Sequence, residues 1–208
     1  MVLAAAQAAP ERFAVMGRIA DDAEPQVMRD WLEQPSMLGI RVILARTSAW
    51  IAKGAEHPLW GAAAEAGVPV MLATAGNTAL AGEIARRQPA LRIALDHMGT
   101  GVLREGFDAF PDAELVFEMA RLPNVSVKLS ALPCYSKQDH PWADVMPYVR
   151  RLFDAYGSAR LFWGSDLTRL PCPYPQLVRF FREEIPWLKG KARDEVMGKA
   201  LAAWLGWR

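Results

Sequence analysis

Short apolar runs alternate along this chain with longer stretches of helical periodicity. The runs are almost continuously aliphatic rather than interrupted by polar residues, which is typical of strands buried on both faces of a parallel sheet. The pattern predicts six strands: Phe13–Ile19, Gly39–Leu44, Val68–Thr74, Leu91–His97, Val125–Ala131 and Arg160–Asp166. The stretches between them, several of which begin at Pro or Asp and end near Gly, predict helices over residues 24–34, 57–67, 77–88, 112–122 and 142–157.

The repeat of strand and helix indicates the fold class. The centres of the first and last runs, Met16 and Trp163, are separated by five repeats of about 29 residues each. Alternating strands and helices form parallel sheets with right-handed crossovers, and a closed barrel of eight such repeats has about 250 residues. We therefore predict one domain over residues 1–208, an incomplete TIM-type (β/α) barrel with six of the eight strands. An open doubly wound sheet also satisfies the strand count, but the chain has no Gly-x-Gly-x-x-Gly turn and no Walker loop.

Charge and cysteine content narrow the classes of partner. The 24 basic and 23 acidic residues leave a formal charge of +1, which gives no electrostatic reason to expect nucleic acid or an anionic membrane. Cys134 and Cys172 lack the spacing of a zinc motif and are interpreted as reduced thiols. The apolar opening segment has no basic flank and is too short for a signal peptide or a membrane span. We therefore expect a cytoplasmic protein that binds neither nucleic acid nor a membrane.

Polar and charged residues collect where the predicted strands end. Because the carboxyl ends of the strands form the active-site face of a barrel, these residues predict one functional site. They are Arg41 and Arg46 around the second run, Thr74 at the end of the third, Asp96 and His97 at the end of the fourth, Lys128 and Ser130 in the fifth, and Ser165, Asp166 and Arg169 at and after the end of the sixth.

Each of these residues also has a purely structural interpretation. His97 could be a hydrogen-bonded framework residue, and Asp166 could cap the helix that follows it. Arg41 and Lys128 lie inside apolar runs, where an unpaired charge is costly, so they could pair with a carboxylate of the protein as well as with one of a substrate. Their joint occurrence at the same end of successive strands favours a functional site.

Three segments carry a resemblance to a known family. LRIALDHMG, NVSVKLSA and RLFWGSDLTR, in this order, resemble the amidohydrolase-2 branch of the amidohydrolase superfamily, which includes dicarboxylate lactonases, fuconolactonase-like enzymes and metal-dependent decarboxylases. The resemblance implies a (β/α)₈ barrel in which His97 and Asp166 correspond to the sixth-strand histidine and the eighth-strand aspartate. In metal-dependent members these two residues join a His-x-His pair from the first strand to hold a divalent ion. In lactonase members the aspartate can activate water without a metal.

The chain departs from the family pattern in its metal ligands. Its histidines are His57, His97 and His140, so no His-x-His pair occurs. The resemblance places the first two family strands upstream of Met1. Because zinc takes three or four protein ligands, His97 and Asp166 would hold a divalent ion, zinc foremost, only if an upstream His-x-His pair is supplied. We expect this chain alone to bind metal weakly.

These observations lead to one leading hypothesis and two alternatives. A hydrolase of the amidohydrolase type would use Asp166 as a general base and His97 to polarise the carbonyl of a small lactone or related carboxylated metabolite. The substrate would be bound by Arg41, Lys128, Arg169 and Thr74. A metal-dependent decarboxylase of the same branch is one alternative, and a non-catalytic remnant or interaction partner is the other. The unpaired sheet edges of an incomplete barrel predict association into homo-oligomers.

Overall fold

The computed structural model describes residues 2–20, 22–45, 48–100 and 105–207. Arg46, one of the predicted strand-end residues, lies outside these ranges. Six parallel strands, paired in chain order, form a single sheet in the described part of the chain. They are β1 (Val15–Arg18), β2 (Met37–Ile43), β3 (Val70–Ala73), β4 (Ile93–Leu95), β5 (Val125–Ser130) and β6 (Leu161–Gly164). Each strand overlaps one predicted run, and the arrangement confirms the incomplete TIM-type barrel.

Helices connect the strands, and those between successive strands pack on one face of the sheet. The described helices are α1 (Val2–Ala8), α2 (Ala49–Lys53), α3 (Pro58–Glu65), α4 (Thr78–Arg87), α5 (Ala113–Met119), α6 (Met146–Tyr156), α7 (Tyr174–Arg179), α8 (Gly190–Asp194) and α9 (Ala200–Leu205). The helices α3 to α6 lie within four of the five predicted helical stretches. Short π-helical segments extend α7 over Phe180–Glu184 and join α8 to α9 over Glu195–Lys199.

The remaining predicted helix, the first along the chain at residues 24–34, is replaced by two 3₁₀ turns, Pro25–Met28 and Trp31–Glu33. The bend between them carries the Trp31 indole beneath the sheet, where its Nε1 donates to the Gly39 carbonyl at 3.0 Å. A Cβ atom on Gly17 would come within 2.7 Å of this ring, so the indole needs a glycine there. A buried tertiary contact thus overrides the helical periodicity of this segment.

The two faces of the sheet are chemically different. Alternate aliphatic side chains of the strands, such as Ile40 and Val42 of β2, pack in the main hydrophobic core with residues of the helices. A smaller apolar cluster belongs to the other face, where Met71, Ala94 and Phe162 pack with Ala200, and Met16, Leu201 and Trp204 pack against them. Toward the carboxyl ends of the strands this second face becomes polar, and it carries the candidate site.

The sheet is open at both ends. Within the described residues, β1 pairs with β2 and β6 pairs with β5, and neither outer strand has a second partner. Association through these edges stays a prediction. A search of the described helices finds none that is both long and apolar enough to cross a membrane.

Candidate active site

A left-handed residue follows the end of four successive strands. Ala75, His97, Ala131 and Asp166 have φ angles of 48°, 50°, 59° and 53°, just past β3, β4, β5 and β6 respectively. Non-glycine residues in this conformation cost of order 1–3 kcal/mol each and concentrate at functional sites. The sharp turns place His97 and Asp166 at the same rim of the sheet.

A buried ion-pair cluster lies inside this rim. Asp96 is fully buried, and its Oδ2 accepts from Arg41 Nε at 2.6 Å while its Oδ1 accepts from Lys128 Nζ at 2.7 Å. Burial alone would raise the pKa of the Asp96 carboxyl, but the adjacent Lys128 and Arg41 cations outweigh it and lower the pKa. Asp96 is therefore a carboxylate, and from its place after β4 it links the side chains of β2 and β5.

The sequence left open whether Arg41 and Lys128, two of the predicted substrate-binding residues, pair with a carboxylate of the protein. Arg41 and Lys128 both contact a carboxylate of the protein. Arg41 is attached through Nε, its side chain is 30% exposed, and no contact of its terminal amino groups is recorded among the described residues. Its guanidinium fork thus keeps both terminal amino groups for a second carboxylate. One carboxylate between two cations leaves the cluster with a net charge of +1.

A second carboxylate, Asp166, lies at the rim and is more open. Its side chain is 25% exposed and its Oδ2 is 3.1 Å from Arg169 Nη1 and 3.8 Å from His97 Nδ1. It stands at the N-cap of the short turn Leu167–Arg169 but makes no capping hydrogen bond with its side chain. In the described part of the chain, no hydrogen bond or ion pair involves Oδ1. One carboxylate oxygen is therefore held and the other is available.

The imidazole of His97 lies between β5 and Asp166. Its Nδ1 is 3.0 Å from Ser130 Oγ, and the same hydroxyl accepts from the His97 backbone N–H at 3.3 Å. Burial lowers the pKa of His97, even though the carboxylates Asp96 and Asp166 act in the opposite direction. His97 is thus a neutral imidazole at neutral pH, able to donate or accept one hydrogen bond at each ring nitrogen according to its tautomer.

Arg169 contacts both the rim and the loop after β5. Besides Asp166, its guanidinium lies 5.9 Å from the ring centroid of Tyr135, and its carbonyl accepts from Cys134 Sγ at 3.2 Å. Burial alone would lower the pKa of Arg169, but Tyr135 and Asp166 raise it. Tyr135 was absent from the sequence-based site. Its 3₁₀ turn (Leu132–Tyr135) follows β5 directly, and that position after a strand is the signal that could have indicated it.

Thr74 and the two other histidines have structural contacts. Thr74 is buried and its hydroxyl donates to the Gly99 carbonyl at 3.1 Å, in the turn that carries His97. His57 caps α3, where its Nδ1 accepts from the Leu59 backbone N–H at 3.2 Å. His140 Nε2 is 2.7 Å from a carboxylate oxygen of Glu184. Neither His57 nor His140 has a recorded contact with His97 or Asp166 among the described residues.

A cleft of about 520 Å³ opens between the loops that follow β5 and β6. Its volume is in the range of pockets that hold small molecules. The loops concerned also carry Tyr135 and Arg169, but neither of these residues lines the cleft, and neither do His97 and Asp166. It is lined by Pro133, Ser136, Lys137, His140, Cys172 and Gln176, among others.

Comparison with known proteins decides the family. The sequence model of the amidohydrolase family, described as "Amidohydrolase", matches residues 1–201. The chain belongs to the amidohydrolase family. This confirms the resemblance carried by the segments that contain His97, Lys128 and Asp166. Members of the amidohydrolase family are generally metal-dependent.

Two curated relatives match parts of this amidohydrolase chain. L-fucono-1,5-lactonase of Burkholderia ambifaria is 37% identical over 105 residues, which cover 50% of this chain and 34% of the relative. The 4-sulfomuconolactone hydrolase of Hydrogenophaga intermedia is 33% identical over 72 residues, which cover 35% of this chain and 23% of the relative. The matched segments thus span about a third or less of the curated relatives.

Solved structures share the fold over nearly the whole chain. A crystal structure of an amidohydrolase from Burkholderia multivorans, with bound zinc, has a TM-score of 0.76 and 20% identity over 94% of this chain and 74% of its own. Decarboxylases are also among the solved structures with this fold. At these identities the likeness shows the barrel fold alone.

The described residues do not complete a zinc site by themselves. His97 Nδ1 and Asp166 Oδ2 are 3.8 Å apart, but the described residues contain no group of three or more His, Cys, Asp and Glu side chains that could surround an ion. Zinc sites use three or four protein ligands. Weak metal binding by this chain stays a prediction, and the chemistry below is derived from its own side chains.

Proposed function

We propose that this amidohydrolase chain is a hydrolase that activates water for attack on the carbonyl of a small lactone or related carboxylated metabolite. Asp166 is the general base and His97 polarises the carbonyl oxygen. The observation that carries the proposal is the half-open state of Asp166: Oδ2 is fixed near Arg169 and His97, while Oδ1 has no recorded partner in the described residues. A general base needs such a free oxygen within reach of a water molecule.

The electrostatics around Asp166 support this role. Arg169 Nη1 contacts one oxygen of the carboxylate at 3.1 Å and so fixes its orientation. His97 is a neutral imidazole, so it can donate one hydrogen bond to the carbonyl oxygen without first competing with Asp166 for a proton. As the oxygen gains negative charge in the tetrahedral intermediate, such a donor stabilises it more than it stabilises the substrate.

The binding side of the site suits an anionic substrate. The terminal amino groups of Arg41 have no recorded protein contact in the described ranges. The Nε atom of Arg41 is held by Asp96, which Lys128 contacts from the other side. Arg41 would present a fork of N–H donors to a carboxylate, and Arg169, whose Nη1 also contacts Asp166, would add a second cation. Lys128 would contribute its charge from behind Asp96, and Thr74 would act by fixing the turn at Gly99.

Both curated relatives are named for reactions of lactones, which supports the choice of substrate class. The test is a panel of carboxylated and sugar-derived lactones, with ring opening followed by acid release at constant pH. Turnover by the parent protein that is lost in Asp166→Asn would support the proposal. Carbon dioxide release from aromatic carboxylates without lactone hydrolysis would favour the decarboxylase alternative. Absence of both reactions, with the protein folded, would favour the non-catalytic alternative.

A further inference from the structure

Ser130 contacts His97 twice, and the mechanism above assigns it no part. It is the last residue of β5, its side chain is 2% exposed, and it lies two residues after Lys128 on the same face of the sheet. Its Oγ accepts from the His97 backbone N–H at 3.3 Å and is 3.0 Å from His97 Nδ1. The backbone contact holds His97 in its left-handed conformation, and the side-chain contact fixes the ring.

The hydrogens of this contact can be assigned by counting. A serine hydroxyl has one hydrogen to donate. In the described ranges, the recorded neighbours of Ser130 Oγ are the His97 N–H, which is a donor, and Nδ1. If Nδ1 carried a proton, Ser130 would accept twice and its own buried hydrogen would have no recorded acceptor, which is costly. If Nδ1 is unprotonated, the hydroxyl donates to it, and both hydrogens of this contact, the His97 backbone N–H and the Ser130 O–H, have an acceptor.

Asp166 does not reverse this assignment. Its Oδ2 is 3.8 Å from His97 Nδ1, which is beyond hydrogen-bond distance, whereas the hydroxyl of Ser130 is within it. The proton of the neutral ring then belongs on Nε2, the nitrogen that faces away from Ser130. This is the tautomer that a donor to a carbonyl oxygen requires.

The neighbouring strand leaves room for this hydroxyl. Gly164 of β6 is paired in register with Ser130, and a Cβ atom at Gly164 would lie 3.2 Å from Ser130 Cβ. That distance is tighter than ordinary contact, so a side chain at position 164 would press on Ser130. The absence of a side chain at Gly164 thus leaves space for Ser130, whose hydroxyl can rotate toward His97 Nδ1.

We infer that Ser130 is a positioning residue, which donates to His97 Nδ1 and thereby keeps the imidazole as the Nε2–H tautomer that donates toward the substrate carbonyl. The inference rests on the proposed function for the role of His97 in turnover. The tautomer itself is independent of that function and can be observed without substrate.

The test is nitrogen NMR of the full chain labelled at histidine, at about pH 8, where an ordinary imidazole is neutral. With three histidines in the chain, His57→Asn and His140→Gln assign the signals. His57 serves as an internal reference because its Nδ1 accepts from Leu59 N–H and so is also unprotonated. We expect His97 of the parent to show an unprotonated Nδ1 and a protonated Nε2, and Ser130→Ala to shift both nitrogens toward a mixed state.

Ser126→Ala is the matched control. Ser126 lies on β5, faces the same way and is also 2% exposed, but it has no recorded contact with His97. It should leave the His97 signals unchanged. If Ser130→Ala does not fold, Ser130→Cys keeps the shape with a weaker donor and should shift the signals in the same direction. A protonated Nδ1 in the parent, or unchanged His97 signals in the folded Ser130 variants, would overturn the inference.

Kinetics connect the tautomer to turnover. Loss of a residue that orients a reacting group costs about 10- to 100-fold, here expected in kcat rather than in KM. If the parent hydrolyses no lactone but shows the expected tautomer, the proposed function fails while the assignment to Ser130 stands. If the parent turns over and Ser130→Ala changes neither the tautomer nor kcat, the inference about Ser130 fails and the proposed function stands.

Discussion

Two aspartates at the same rim of the sheet, one after β4 and one after β6, have the same chemistry and opposite surroundings. Asp96 is fully buried, and both of its oxygens contact cations at 2.6 and 2.7 Å. Asp166 is partly exposed, and one of its oxygens contacts Arg169 at 3.1 Å while the other has no recorded partner within the described residues. Both oxygens of Asp96 are paired with cations of the protein, so its negative charge has a structural role. Asp166 is held on one side only, so its charge can act on something else.

The difference shows how a carboxylate at a strand end can be assigned a role. Proximity to basic residues does not decide it, because both aspartates have such neighbours. The number of oxygens left without a protein partner and the access of water decide it. On this criterion Asp166 is the candidate catalytic carboxylate, and Asp96 is a structural carboxylate that positions Arg41 and Lys128.

The sharpest test of this contrast is Asp166→Asn. Loss of a general base costs typically 10²- to 10⁴-fold, so we expect kcat to fall by about 10³-fold. The free energy of unfolding should change little because Asp166 makes no capping bond and is partly exposed. Lactone turnover and urea denaturation measure the two effects. Turnover within about tenfold of the parent would show that Asp166 is not the base.

Asp96→Asn should have the converse profile. Removing one partner of a buried ion cluster leaves uncompensated charge, and we expect a loss of about 3–5 kcal/mol in the free energy of unfolding, measured in urea. Lys128→Met combined with Asp96→Asn removes one of the two cations and should recover part of that loss. A loss below about 1 kcal/mol would mean that Asp96 does not support the framework as its contacts indicate.

Arg169→Ala tests the side of the site that faces substrate. A residue that binds ground state and transition state alike affects KM more than kcat, and we expect KM to rise by about tenfold. Arg169→Lys keeps the charge but not the fork of donors, so it should give an intermediate KM. Steady-state kinetics on the best lactone make the measurement. An unchanged KM in Arg169→Ala would remove this residue from the binding site.

The smallest effect calibrates the others. Glu114 pairs with Arg151 at 3.0 Å, but both side chains are well exposed. Exposed pairs contribute about 0–1 kcal/mol, so Glu114→Gln should change the free energy of unfolding by less than about 0.5 kcal/mol. Urea denaturation beside Asp96→Asn provides the comparison. A loss similar to that of Asp96→Asn would mean that burial does not separate the two kinds of ion pair.

The strands could be predicted from the sequence because each is an aliphatic run with a defined start and end. The residues at their ends could be placed together for the same reason, since parallel strands meet at one rim. The helix predicted over residues 24–34 was wrong because Trp31 is drawn under the sheet by a contact with Gly39. Local periodicity contains no information about such a contact.

The ion pairs at the rim were harder to predict than the residues that lie there. The sequence places Arg41, Asp96 and Lys128 in or just after the second, fourth and fifth strands, but the two cations could equally have paired with a substrate carboxylate. The choice depends on side-chain distances of a few tenths of an ångström, which no sequence pattern specifies. The link from Ser130 to His97 is of the same kind, because it needs both the register of β5 and the left-handed turn after β4.

The left-handed turns also matter for protein engineering. Ala75 and Ala131 adopt the backbone conformation that His97 and Asp166 adopt, at equivalent places on the rim. Asn, Asp and His are the non-glycine residues most at home in that conformation. Ala131 is fully buried and leaves no room for them, whereas Ala75 is partly exposed. Position 75 could therefore accept an Asp, Asn or His side chain, which would add an acid, a base or a ligand to the rim without changing the backbone conformation.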